Sequence, residues 1–512
     1  MKNLPYIKNE NGLYSLIINN KPFVALAGEL HNSSASNLKY MEKKVWPYLR
    51  ELNMNTVIIP VYWEKIEPIK GKFDFELVKG VINQAREEGL KIILLWFGLW
   101  KNGISSYVPE WIKLDETYFR TLNYNGRKMD VISPLCEKAI ETDGFAFKKL
   151  MEFIKNYDQE DQTVIMVQVE NEIGLLDSDR DYSKYANNKY EEKIPTVISE
   201  LYGVSGTWEE AFKENSAEYF MEYYYAKAIE SIAKGGQEVY NLPMFVNAWI
   251  EKYPWRAGGY PSGGPIARFI DLWRKVAPSI FTCAPDIYTS DFSGVCDEFY
   301  RENNPLIIPE IRRDTFNISN IFYAIGKYNA MCYSPFGIED FMTPPELITG
   351  MCSPSLMKTL NIDVSAWDCT NTGKYLSKIY EMLSHSMDII RECRKNGKIH
   401  SFIKKNEYEK GDVIELKNYD IKISYHNNKE LPKSSGIILE VSEDEFYIMG
   451  TSFGYSMMSK KNEHKTVGIL NLEEGKFSNG EWVASRVLNG DERYFTNILD
   501  IPSVNRAKLY KY

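Results

Sequence analysis

The chain has 512 residues, 44% of them hydrophobic and 26% charged, with a formal net charge of −9. That length exceeds one small core and suits a barrel of about 250–350 residues plus an accessory domain. The acidic balance, with no basic stripe and no phosphate-binding glycine motif, excludes nucleic acid as a partner, because a phosphate backbone has to be met by concentrated positive charge.

Residues Met1 to Glu10 hold no apolar h-region of the kind a secretory leader needs, and no run of about 18 apolar residues is present to cross a membrane. The seven cysteines, at 136, 283, 296, 332, 352, 369 and 393, are scattered without C-x-x-C spacing, as reduced thiols are. The expectation is a complete cytoplasmic protein with no membrane contact.

Apolar strand-like runs then alternate with longer amphipathic stretches, the pattern of repeated βα units. The expected strands are Phe23–Leu30, Thr56–Trp63, Lys91–Gly98, Val164–Glu170, Met244–Trp249, Ile280–Tyr288, Leu306–Ile311 and Ala330–Ser334. Eight strands of this kind close a (β/α)8 TIM barrel. Expected helices are Leu38–Leu52, Phe75–Glu88, Gly144–Tyr157, Ala217–Gly235, Pro265–Val276 and Ser319–Tyr328. In the second of these, Leu77, Val78, Val81, Ile82 and Ala85 make a helical stripe. The segment between Ile173 and Pro243 exceeds one loop and one helix, and its acidic, tyrosine-rich part (177–192) is expected to form an excursion over the barrel mouth. Beyond about residue 345 the pattern changes. Leu356–Leu360 and Gly373–Cys393 read as helical, and from Ile403 onward short alternating runs bounded by turn formers read as an all-β, sandwich-like domain. These runs are Asp412–Leu416, Tyr419–Tyr425, Gly436–Val441, Glu445–Gly450, Thr466–Asn471 and Glu481–Val487. The resulting division is a catalytic barrel over 1–345, a helical connection over 346–400 and a β-rich accessory domain over 401–512.

The richest stretch is Val167-Gln168-Val169-Glu170-Asn171-Glu172-Ile173-Gly174, where an apolar strand runs out into acids, an amide and a glycine. Carboxylates at the C-terminal tip of a strand lie where a barrel keeps its chemistry. Taken alone, an Asn-Glu pair is more often a solvated strand-end loop. A second apolar strand with an acid at its tip, Leu306-Ile307-Ile308-Pro309-Glu310, reverses that balance. Acetal cleavage needs a proton for the leaving oxygen and a partner for the oxocarbenium-like carbon, and two carboxyl groups supply both. The 14% aromatic content, with 35 Tyr and 11 Trp, suits a sugar cleft, although most such rings serve packing.

Residues 168–174 resemble the Q-V-E-N-E-[YF]-G signature of glycoside hydrolase family 35, with Ile173 in the aromatic position. Gly28-Glu29-Leu30-His31 resembles the family's first-strand element, and Pro60-Val61-Tyr62-Trp63-Glu64 its second-strand segment. Ile307-Ile308-Pro309-Glu310 fits the seventh-strand site of this clan of retaining glycosidases. The likeness spans about residues 20–340 and is strongest to a compact subgroup whose barrel precedes one small β-rich domain. It implies Glu172 as acid/base, Glu310 as nucleophile, Asn171 as a partner of the sugar 2-hydroxyl, and Tyr288 as a hydrogen-bond donor to the nucleophile. Glu170 lies two residues before Glu172, so strand periodicity does not separate them, and the Asn171-Glu172 pairing decides for Glu172. His31, Glu29 and Tyr62, with Trp100, Asn102 and Trp249, are the remaining sugar-contact candidates. Arg312 and Arg313 are expected to hold Glu310 ionised if either lies close. After the third strand the larger family members carry C-A-E-W, whereas this chain has Leu95-Trp96-Phe97-Gly98-Leu99-Trp100-Lys101-Asn102-Gly103, so an acid that recognises sugar hydroxyls is missing there.

The reading is a cofactor-independent, metal-independent retaining exo-β-glycosidase, foremost a β-galactosidase acting on imported oligosaccharides or small glycosides. Its rivals are a β-glucosidase or transglycosylase of the same chemistry, and a silent carbohydrate-binding protein. Self-association into a homo-oligomer is left open.

Overall fold

The computed structural model describes residues 3–512 apart from 252–254, 345, 346, 349–354, 356, 358–362, 461–464, 479, 495, 496 and 499. Apart from Met357, the expected helix at Leu356–Leu360 lies outside the described residues, as does Cys352. The chain forms two compact units, one of residues 1–46, 55–287 and 297–311, the other of 47–54, 288–296 and 312–512.

The first unit opens with a small antiparallel sheet of Tyr6–Glu10, Leu13–Ile18 and Lys21–Phe23. Its two turns, Asn11-Gly12 and Asn19-Asn20, have positive φ at all four residues, the requirement of a tight type I′ hairpin. These Asn-rich pairs are the signal that the sequence reading passed over.

Eight strands then follow: Ala25–Leu26, Thr56–Tyr62, Lys91–Lys101, Val164–Asn171, Met244–Trp249, Thr282–Ile287, Ile308–Ile311 and Cys332–Pro335. Their spatial order is first, eighth, seventh, sixth, fifth, fourth, third, second. The ends meet where Glu29 bridges Ile58, with Leu30 N donating to Ile58 O at 3.1 Å and Ile58 N to Gly28 O at 2.9 Å. This is the expected TIM barrel. Its strands are buried on both faces, which is why they read as unbroken apolar runs rather than alternating ones. The expected first strand is shorter than its apolar pattern. Phe23 belongs to the N-terminal sheet, and only Ala25–Leu26 and the Glu29 bridge join the barrel.

The helices Glu76–Glu87, Glu137–Asp158, Ser216–Gln237, Ile270–Val276 and Asn320–Tyr328 match the apolar stripes. The helix expected over Leu38–Leu52 is present as one unbroken helical run, with a wide π turn at Met41–Val45 and a tighter 3-10 end at Arg50–Leu52. Pro47 has no N–H to give and its ring crowds the carbonyl four residues back, which the wide π turn before it accommodates. The excursion after the fourth strand holds three short helices, Lys184–Glu191, Thr196–Tyr202 and Trp208–Phe212. Its first residues pair with the loop after the fifth strand: Leu175 N donates to Ser262 O and Asp177 N to Gly258 O, both at 2.8 Å.

In the second unit, the long helix Thr372–Lys395 precedes two antiparallel sheets. One has six strands, Ile399–Ile403, Ser435–Ser442, Glu445–Thr451, Ser503–Lys511, Val467–Ser478 and Glu481–Val487. The other has four, Gly411–Glu415, Tyr419–Tyr425, Phe453–Ser459 and Asn497–Ile498. Ile421, Ile423 and Phe453 from the smaller sheet share one core with Phe402, Ile438 and Ile448 from the larger. Burying one face of each sheet against the other is what makes the sandwich, and strands 399–403, 453–459, 497–498 and 503–511 are additions to the expected set.

Candidate active site

The fourth strand is buried along its whole length and ends in a backbone that leaves the strand. Glu170 has φ +62° and Glu172 φ +43°, and Gly174 has φ +125°, where a Cβ would lie 2.7 Å from Pro261. Left-handed residues break the two-residue alternation of a strand. Glu170 and Glu172 therefore reach different surroundings, although regular spacing would put them on one face.

Glu170 accepts the backbone N–H groups of Leu99 at 2.9 Å and Trp100 at 2.7 Å. Beside it Asp143, on the helix Glu137–Asp158, accepts Leu99 N and Trp96 Nε1, both at 2.8 Å. Gly98 makes room for this carboxyl pair, since a Cβ there would sit 2.3–2.5 Å from Trp96 Nε1, Asp143 Oδ2 and Glu170 Oε1. Burial pushes Asp143 up to about 6. Burial together with the Asp143 charge pushes Glu170 well above the ordinary carboxyl range. Glu170 thus ties the end of the third strand to the fourth.

Glu172 belongs to a second group. Its backbone N–H donates to Asn247 Oδ1 at 2.8 Å. Asn247, on the fifth strand, donates from Nδ2 to Asp286 Oδ2 at 2.8 Å and to Glu310 Oε1 at 3.4 Å. Asn171 donates from Nδ2 to Glu310 Oε1 at 3.2 Å and accepts Lys101 Nζ on Oδ1 at 2.7 Å. Carboxyl oxygens of Glu172, Asp286 and Glu310 all lie within 4.8 Å of one another. Among the described residues this is the one set of acids, thiols and imidazoles spaced so that a cation could be shared. All three acids are buried. Burial, then the Glu310 charge, pushes Glu172 up to about 7 against the opposing pull of Lys101. Burial and the charges of Glu310, Glu172 and Glu29 push Asp286 well above the ordinary range. An acid that holds its proton near neutral pH beside acids crowded at strand tips is the arrangement general acid catalysis uses.

The structure brings together Asn171, Glu172 and Glu310 among the expected residues, with Glu29 near enough for its charge to act on Asp286. Tyr62 is buried between Phe97 and Tyr107, with ring centroids at 6.0 and 5.7 Å. His31 and Trp249 are half-buried, and Asn102 is exposed at a turn with φ +51°. Trp100 is a correction. Its side chain is 1% exposed, its Nε1 donates to Ile132 O at 2.9 Å, and its ring packs edge-on to Tyr225, so it is a core residue rather than a sugar platform. Within the second unit, Tyr288 stacks on Trp367 with centroids 5.3 Å apart. Arg312 pairs there with Asp314 and Asp363, and Arg313 with Asp340 at 2.5 Å. Sequence reasoning missed Asn247, Asp286 and Lys101. The signal for the first was a lone amide inside Met244-Phe245-Val246-Asn247-Ala248-Trp249, and for the second an acid two residues before Tyr288.

Residues 39–223 match the β-galactosidase family Glyco_hydro_42, and residues 376–499 match DUF5597, a domain of unknown function. No curated protein matches the chain. Among solved structures, the β-amylase catalytic domain of Paenibacillus polymyxa is 12% identical, covering 67% of this chain and 98% of its own, with a TM-score of 0.48. The β-galactosidase of Bacillus circulans sp. alkalophilus is 10% identical, covering 94% and 99%, with a TM-score of 0.48. The β-galactosidase of the psychrophilic Marinomonas ef1 is 12% identical, covering 71% of this chain and 60% of its own, with a TM-score of 0.44. At such scores nothing about the reaction follows from these three. With paired glutamates on the tips of strands four and seven and a β-galactosidase family match across the fourth, the chain is a glycoside hydrolase.

Proposed function

We propose that the protein is a retaining exo-β-glycosidase, foremost a β-galactosidase of the family 35 type. The observation that carries this is the approach of Glu172 and Glu310, whose carboxyl oxygens come within 4.8 Å. Retaining enzymes hold the two groups about 5–5.5 Å apart, whereas inverting ones need about 6.5–9.5 Å to admit water between acid and base. Glu310 attacks the anomeric carbon, the glycosidic bond breaks toward the leaving oxygen, and that oxygen takes the proton of Glu172. Water then attacks the same carbon, gives its proton to Glu172, and releases Glu310. The hydrogen bonds that fix Asn171 between Lys101 and Glu310 support its proposed role as partner of the 2-hydroxyl. The substrate on this reading is a short imported oligosaccharide with a terminal β-galactosyl residue.

The lack of an acid in Leu95–Gly103, where the larger family 35 enzymes carry C-A-E-W, favours a second reading, hydrolysis or transglycosylation of a β-glucoside. Comparing kcat/KM for nitrophenyl β-galactoside with the gluco, fuco, xylo and arabino analogues decides between the sugars. Proton NMR of the first-formed sugar should show the β-anomer, and an α-anomer would sink the retaining mechanism.

A further inference from the structure

Two carboxyl groups suffice for the reaction, yet a third, Asp286, is buried with them. Its backbone position opposite Glu310 in the parallel pairing of strands six and seven fixes it at the same level of the barrel. One of its oxygens, Oδ2, accepts Asn247 Nδ2 at 2.8 Å, while Oδ1 is buried without a hydrogen-bond partner of ordinary length among the described residues. Glu310 already receives two amide N–H groups, from Asn171 and Asn247. The Glu172 carboxyl has Asp286 as its side-chain hydrogen-bond partner, a contact that lowers the pKa of Glu172 and raises that of Asp286.

Charge points the same way. Ionised together, Glu172, Asp286 and Glu310 place three negative charges within 4.8 Å, with Glu29 adding a fourth nearby. The described cation that faces them is Lys101, which is engaged with Asn171. Like charges at such spacing in a dry site do not ionise together. If two protons are held, the trio carries one negative charge and balances Lys101.

We infer that Asp286 keeps its proton through the whole catalytic cycle and donates its Oδ1–H to the carboxylate that Glu172 becomes when it protonates the leaving oxygen. Asp286 is thus a positioning residue that acts through Glu172 and sets its acid strength. No proton leaves Asp286: the proton given to the leaving group comes from Glu172 and is restored to it by water. A neutral acid donating to the conjugate base stabilises that base, making Glu172 the stronger acid for poor leaving groups. This rests on the retaining glycosidase reading.

The test compares Asp286→Ala and Asp286→Asn with the wild type, using kcat/KM against pH on aryl glycosides of poor and good leaving groups. Losing the donor in Asp286→Ala should move the alkaline limb upward by about one pH unit, the scale of one hydrogen bond to an ionised group. The rate should fall most for poor leaving groups. Asp286→Asn retains an N–H and should keep the limb near its wild-type position. A downward shift in both variants would show an ionised Asp286 and overturn the proposal, as would an unmoved limb with an even loss of rate. An arm independent of turnover is the infrared difference between Glu172→Gln and Glu172→Gln/Asp286→Asn at neutral pH. It should contain the carbonyl band of a protonated carboxyl, and its absence refutes the inference. A wild-type enzyme that inverts configuration would strike the retaining reading, while the infrared difference still reports on Asp286.

Discussion

Glu170 and Glu172 sit two residues apart in one motif, and the structure gives them opposite kinds of importance, which substitution can separate. In Glu170→Ala the N–H of Trp100 loses its acceptor, whereas Leu99 N keeps Asp143 Oδ2 at 2.8 Å. One orphaned buried N–H costs about 1–3 kcal/mol, and the lost buried methylene about 0.8 kcal/mol. Together these amount to about 2–4 kcal/mol, or a fall in Tm of about 4–16 °C for a large domain. Glu170→Gln should lose much less. Its amide oxygen can still take Trp100 N, and its N–H can face Asp143 in place of a shared proton. Glu172→Gln should leave Tm unchanged or raised, while lowering kcat/KM on poor leaving groups by about 10²–10⁴-fold. Thermal unfolding and steady-state kinetics on the same preparations provide the comparison. A Glu170→Gln protein as inactive as Glu172→Gln, with wild-type Tm, would transfer the acid role to Glu170. An unchanged Tm in Glu170→Ala would show that the Trp100 bond holds nothing.

In the wild type, kcat/KM should fall above about 7 as Glu172 loses its proton, with the limb reporting the coupled pair, and Glu172→Gln on an activated aryl glycoside should abolish that limb. Lys101→Met frees Asn171 and removes the cation that pulls Glu172 down. It should lower kcat/KM by about 10–100-fold and move the alkaline limb upward, which a pH profile checks. Asp143 is raised to about 6, so the folded state holds a proton that the unfolded chain has released above about 4; stability should decline between those values, as urea titrations at a series of pH would show. In the second unit, burial pushes Lys433 down to about 8, where its Nζ donates to Asn317 Oδ1 at 3.1 Å. The folded state then binds fewer protons than the unfolded one between about 8 and 10.5, so stability should rise with pH across that window, and Lys433→Met should remove the rise.

The barrel was legible because its strands are buried on both sides, and unbroken runs such as Val164-Ile165-Met166-Val167 leave few other readings. The places of Glu172 and Glu310 at strand tips were legible because each closes such a run. Periodicity failed where backbone conformation departs from its default. The positive φ at Glu170 and Glu172 splits two side chains that spacing places together. Asn247 and Asp286 escaped because a single polar residue inside a strand has no pattern of its own. What marks them is a partner 39 residues away in the chain, Asn247 to Asp286, which only folding reveals. Trp100 misled for the converse reason: a tryptophan near a strand tip resembles a sugar platform until its indole is seen to close the core.

The kinked end of the fourth strand also has a consequence for anyone who engineers this protein. A left-handed conformation costs a side-chain-bearing residue about 1–2 kcal/mol, and glycine almost nothing. Glu170 and Glu172 therefore hold about 2–4 kcal/mol of conformational tension between them. A selection for heat resistance alone should drift toward glycine or asparagine at 172 and reward it with a tougher, inert protein. On the proposed mechanism, Glu172 behaves as a wound spring that only a selection scoring turnover will preserve.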